Sequence, residues 1–162
     1  RLKSQQEIER IGRSGRIIAD FLGEVRPRIQ PGVTTGELDR FADLFIRSFH
    51  GATPAFKGLY GFPGSVCTSV NEEVVHGIPS LKRRLKEGDI LSVDCGVLYK
   101  GYFGDAAETY AVGPISPEAE RQIQERYKKR GIDPPADAGR QALVPHGARI
   151  IVNPVGTAPD HG

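Results

Sequence analysis

The segment Gly88-Asp89-Ile90-Leu91-Ser92-Val93-Asp94-Cys95-Gly96, continued by Gly101-Tyr102-Phe103-Gly104-Asp105-Ala106-Ala107, constrains the fold more than any other part of the chain. Ile90–Leu98 and Tyr102–Val112 read as two β-strands, with Tyr99-Lys100-Gly101 supplying the turn between them. Asp94 and Asp105 lie eleven residues apart on this hairpin. Side chains alternate faces along a strand. A loop with an even number of residues therefore puts both carboxylates on one face, opposite or diagonal to one another. Two carboxylates that close, flanked by apolar residues, repel unless a cation sits between them. Hard carboxylate oxygens suit a divalent cation of the Mn, Co, Fe or Mg kind. The competing reading is a pair of strand-end aspartates held apart by Arg or Lys partners, and spacing alone leaves both open.

The rest of the sequence limits what such a hairpin can belong to. A chain of 162 residues fits one domain and can bury a substantial core. A net charge of +2 is too small to argue for nucleic acid or a membrane surface as partner. No apolar run approaches a transmembrane span, and the basic start has no signal-peptide h-region. Two cysteines, Cys67 and Cys95, make no disulfide framework, so a reducing cytoplasm is expected. The chain opens on Arg1 and contains no Met, which predicts a processed or trimmed polypeptide.

Two helices precede the hairpin. Ser4 and Glu7 form a capping box ahead of Ile8, Ile11, Ile18, Phe21, Leu22 and Val25, which recur at helical spacing until Pro27 and Pro31-Gly32 end the run. Thr35 is expected to cap a second helix bearing Leu38, Phe41, Ala42, Phe45 and Ile46 on one face, closed by 48–53. Each helix shows a single apolar stripe and so needs a sheet to cover. Further strands are expected at Ser65–Asn71 and Glu73–His76, and Lys82–Lys86 reads as a solvated basic connector. The expected class is α/β (α+β): a curved, mostly antiparallel sheet covered on one face by the two N-terminal helices.

The words around the aspartates are Pro31-Gly32-Val33-Thr34-Thr35-Gly36-Glu37-Leu38-Asp39, Pro54-Ala55-Phe56-Lys57-Gly58, Gly61-Phe62-Pro63-Gly64-Ser65-Val66-Cys67 and Ser69-Val70-Asn71-Glu72-Glu73-Val74-Val75-His76-Gly77-Ile78-Pro79. Completed by the hairpin, they resemble the type I methionine aminopeptidases. They fall in family order across residues 1–120, about the first half of such an enzyme. The resemblance implies half of a pita-bread fold and a two-metal centre of Co, Mn, Fe or Zn, which generates a hydroxide nucleophile and polarises the scissile carbonyl. It assigns Asp94 and Asp105 as two of five protein ligands, with Asp105 bridging. His76 takes the role of the histidine that contacts the substrate peptide. Phe56, Leu59, Tyr60, Phe62 and Cys67 take the positions lining a methionine side-chain pocket, where an apolar wall with a soft sulfur suits a thioether. Without the resemblance, His76 reads equally as a strand-end histidine bonded to a carbonyl, and the Phe- and Gly-rich loop as ordinary core. The partner implied is a peptide N-terminus, with no nucleic acid and no membrane.

After residue 116 the character changes. Residues 117–130 read as a charged amphipathic helix, residues 131–139 as a Pro- and Asp-rich linker, and Arg149–Val152 as a short strand. The Gln-Ala, Pro-His-Gly-Ala and Asn-Pro-Val-Gly-Thr-Ala-Pro words of about 125–159 resemble the molybdopterin-binding-like domain of the CinA family. Two units follow: 1–116, aminopeptidase-like, and 117–162, not expected to fold independently. A chimeric or truncated chain of recombined or designed origin is the expectation. It keeps two of five ligands, binds metal weakly and has little or no peptidase activity. The alternatives are an active enzyme completed by the tail or a second chain, and a self-associating homodimeric module.

Overall fold

The computed structural model describes residues 2–114, 150–151 and 160–161. Helix α1 spans Gln5–Val25 and starts on the expected capping box: the Glu7 amide donates to Ser4 Oγ at 3.3 Å, and the Ser4 amide donates to Glu7 Oε2 at 2.7 Å. Helix α2 spans Thr35–Arg47, and its cap is Thr34, one residue before the expected Thr35. Thr34 is extended (ψ 150°) and Glu37 completes its capping box. The Thr35 hydroxyl is engaged elsewhere, accepting from the Ser80 amide at 3.0 Å.

Strands β1 (Ala52–Pro54), β2 (Val66–Val70), β3 (Ile90–Tyr99) and β4 (Tyr102–Ala111) form one antiparallel sheet. β3 pairs with β1 and β2 along one edge and with β4 along the other. β1 lies in the segment that the sequence reads only as a helix-closing turn. The hairpin turn is the two-residue Lys100-Gly101, with φ of 45° and 87°, the left-handed pair that a type I′ turn requires. The even loop puts Asp94 and Asp105 on one face: Asp105 pairs with Gly96, so it lies diagonal to Asp94, whose own partner is Ala107.

The expected strand at Glu73–His76 does not form. Asn71 turns the chain out of β2 with φ 57°, and its side-chain amide bridges Asp89 Oδ1 and the Ile90 amide, each at 2.9 Å. With no strand beside it, the run leaves Val74 and Val75 exposed (87% and 63%). The basic connector is also more than a solvated surface. Leu85 is buried in the core, and its backbone exchanges 2.8 Å hydrogen bonds with Gly32 and Val33.

One face of β3 (Leu91, Val93, Cys95, Val97) is fully buried under the helices. There Phe21 of α1 meets Phe41 and Phe45 of α2 at centroid separations of 6.0 and 5.9 Å. Tyr110 of β4 ties the layers by donating to the Leu22 carbonyl at 3.0 Å. The expected strand at 149–152 exists as β5 (Ile150–Ile151); it pairs antiparallel with β6 (Asp160–His161) and not with the main sheet. The charged helix, the linker and most of the CinA-like words lie outside the described residues. Among the described residues, no helix is long and apolar enough to cross a membrane.

Phe21→Ala should cost about 3–5 kcal/mol, since the ring is fully buried between two others. Leu44→Ala, at a position 72% exposed on the same helical layer, should change stability by about 0.5 kcal/mol or less. Urea unfolding of both variants checks the placement of the core.

Candidate active site

The face of the sheet away from the helices carries Cys67 of β2, paired with Asp94 of β3, and in the neighbouring row Gly96, paired with Asp105 of β4. Side-chain alternation sorts the residues this way, since the odd-numbered residues of β3 are committed to the core. Over this face lies a cleft of about 460 Å³. All eight residues singled out from the sequence line it: His76, Asp94, Asp105, Phe56, Leu59, Tyr60, Phe62 and Cys67. Gly61, Pro63 and Ile78 complete the lining.

The electrostatics follow from that crowding. Burial, and then the neighbouring Asp105 carboxyl, raise the Asp94 pKa above its ordinary value; His76 opposes the shift. Burial pushes the Cys67 thiol up to about 11, helped by Asp94 and Asp105, so at neutral pH it is a protonated, apolar-tolerant wall and no nucleophile. The carboxylates have no Arg or Lys ion-pair partner among the described residues, contrary to the competing reading of the hairpin. Two hard oxygen donors, one of them (Asp94) held above its ordinary pKa by burial and by the other's carboxyl, fit a divalent cation. Among the described residues no group of three or more His, Cys, Asp or Glu side chains converges on a metal position, so the fit is to one side of such a centre.

Two glycines position the lining, and neither was singled out from the sequence. A Cβ on Gly96 would come within 2.5 Å of Phe56 Cε1, so the Phe56 ring rests on bare backbone directly across from Asp105. Gly77 packs equally close: a Cβ there would lie 2.2 Å from the Thr68 carbonyl oxygen. Its carbonyl accepts from the Thr68 amide at 2.8 Å, and its own amide donates to Ser69 Oγ at 3.1 Å. This docking on β2 holds His76 at φ 59°, a left-handed backbone unfavourable for a non-glycine residue. The available signal was glycine inside a strand or beside a candidate site, which marks a close approach of two chains.

Two outcomes follow. In EDTA, Asp94→Asn should unfold at a higher temperature than the parent at pH 7, because the folded state holds the Asp94 charge at a penalty. A carboxyl with a raised folded pKa loses that penalty as pH falls through the raised value, so the gap between the two proteins should close on acidification. Gly96→Ala should displace Phe56 and narrow the cleft, visible as NMR shift changes at Phe56 and its neighbours.

Comparison with known proteins agrees with this architecture. The sequence profile of metallopeptidase family M24 matches residues 9–132. A methionine aminopeptidase of Clostridium acetobutylicum is 44% identical over 157 residues, 96% of this chain and 62% of that protein. One from Clostridium perfringens is 51% identical over 123 residues, 76% of this chain and 49% of that protein. The chain thus spans about half to three-fifths of the length of the curated relatives it matches. The crystal structure of methionine aminopeptidase from Rickettsia prowazekii superposes with a TM-score of 0.71 at 33% identity, covering 81% of this chain and 53% of that one. That from Thermotoga maritima gives 0.70 at 40% identity, covering 78% and 53%. The mixed α/β layer described above is accordingly part of a pita-bread fold. On the breadth of the profile match and the agreement in fold, the chain belongs to metallopeptidase family M24.

Proposed function

We propose that this chain carries the carboxylate and side-chain-recognition part of a metal-dependent methionine aminopeptidase site. The observation that carries the reading is the convergence of Asp94, Asp105, His76 and the Phe56–Phe62 wall on one cleft. Asp94 and Asp105 would hold a divalent cation, Co, Mn, Fe or Zn. When bound, such an ion supplies Lewis-acid activation of a peptide carbonyl and of water. His76, exposed at the cleft rim, donates a hydrogen bond to the substrate peptide. Phe56, Leu59, Tyr60, Phe62 and Cys67 receive the methionine side chain, whose polarisable sulfur packs well on aromatic edges. The natural partner is a peptide N-terminus. Both cysteines are buried and unpaired, in keeping with a cytoplasmic setting.

Among the described residues the cleft offers a cation two carboxylates, which leave it mostly hydrated, so little or no peptide turnover is expected of the 162-residue chain. The reading uses residues 9–114 and no group from the CinA-like words.

Mn²⁺ or Co²⁺ titration followed by calorimetry should show weak binding that Asp94→Ala/Asp105→Ala abolishes. Equal binding by the double variant would sink the metal assignment. Release of Met from Met-Ala-Ser should be undetectable for the 162-residue chain. Release that depends on both aspartates would instead mean that further donors reach the cleft from the rest of the chain or from a second copy.

A further inference from the structure

The apolar wall of the cleft is a loop between β1 and β2 that is not itself part of the sheet. It closes on itself: the Gly58 amide donates to the Phe62 carbonyl at 2.8 Å and the Leu59 amide to the Phe56 carbonyl at 2.9 Å. Tyr60 at its tip is fully exposed and left-handed (φ 50°). Self-closure gives the loop a shape but does not say where that shape sits relative to the carboxylates. One anchor to the sheet is the Ala55 amide, which donates to the Gly96 carbonyl at 2.9 Å.

The other anchors come from α2. Asp39 and Asp43 stand one helical turn apart on the same face. Asp39 Oδ1 accepts the amides of Ser65 and Val66 at 2.6 and 3.1 Å. Asp43 Oδ1 accepts from Ser65 Oγ at 2.9 Å and from Lys57 Nζ at 3.0 Å. Its other oxygen accepts from Arg47 Nε at 3.0 Å. Lys57 follows Phe56 at the start of the wall, while Ser65, fully buried, closes it just before Cys67. Two carboxylates on one helix therefore grip both ends of one loop. Burial pushes the Asp43 carboxyl up, but hydrogen bonds from Lys57, Arg47 and Ser65 outweigh it and hold its pKa below the ordinary value, so the grip is charged throughout the neutral range. An isolated, half-exposed ion pair fixes little. Here four donors outside the helix converge on two carboxylate oxygens, two of the donors being backbone amides at the entry of β2, and such charge-assisted bonds are the stronger kind.

We propose that Asp39 and Asp43 are positioning residues: from α2 they set the place of the apolar wall over the carboxylate face, and with it the side chains the cleft accepts. This rests on the wall being a side-chain pocket, as proposed above.

Amide hydrogen exchange by NMR on the full chain tests it, with Asp39→Ala, Asp43→Ala and Lys57→Met beside the conservative Asp39→Asn, Asp43→Asn and Lys57→Arg. Asp43→Ala and Lys57→Met should speed exchange at Gly58, Leu59 and Phe62 by about tenfold while Leu91 and Val93 stay protected, because only the local opening changes. Lys57→Arg should restore protection, and Asn at 39 should keep it through its own Oδ1. Shift titrations with L-methioninamide and L-alaninamide then read selectivity, which should fall with loop protection. Unchanged loop exchange in both Asp43→Ala and Lys57→Met overturns the proposal, as does a loss of protection spread evenly over the sheet. If the parent chain prefers neither amide, the pocket reading fails, and loop exchange alone still decides whether α2 holds the wall.

Discussion

Strand β3 is the element on which the rest depends. It pairs with β1 and β2 on one edge and β4 on the other, and its two faces have opposite tasks. Leu91, Val93, Cys95 and Val97 are sealed beneath the helical layer, a burial that no one-residue slip could preserve. That apolar commitment is what fixes Asp94 and Gly96 on the outer face. The core thus pins the site without touching it: the energy resides under the helices, and the geometry appears on the other side of the sheet.

Much of this was legible in the sequence because the relevant signals are local. The Ser4/Glu7 box and the Tyr99–Gly101 turn each lie within a few residues, and pleat alternation carries the parity of the turn out to both aspartates. The placement of Thr34 rather than Thr35 as cap turned on a contact 45 residues away, where Thr35 meets Ser80. The failed strand at Glu73–His76 has the same origin. Its Val-Val pair has strand character, but a strand needs a neighbour, and Asn71 turns the chain aside before one is reached. β1 was illegible for the converse reason: three residues with little pattern join the sheet because the end of β3 extends past β2 and offers them a free edge.

The site was legible in its charged and aromatic members and not in its scaffolding. Asp94, Asp105 and His76 declare themselves by chemical type. Gly96 and Gly77 act by lacking a side chain, and a missing group shows only once the ring or carbonyl that fills its place is known. Asp39 and Asp43 look like ordinary solvated residues of an amphipathic helix until the loop they hold is seen against them. The aromatic wall and the carboxylates also meet at one position: a Cβ on Gly96 would collide with the Phe56 ring, opposite Asp105. The placement of that ring and the spacing of the carboxylates are therefore mechanically joined.

The two-residue turn at Lys100-Gly101 has a corollary for register. If the loop stayed at two residues and β3 stayed held by its core face, a one-residue shift of β4 would carry Asp105 through the sheet to the helix side, into the space where Gly104 meets Ser14. Shifts by two would keep the carboxylates together and only alter their separation along the strands. The register of this hairpin is thus quantised: slips of β4 by two residues keep a paired-carboxylate face, and a single odd slip divides the pair between two solvents, one aqueous and one hydrocarbon.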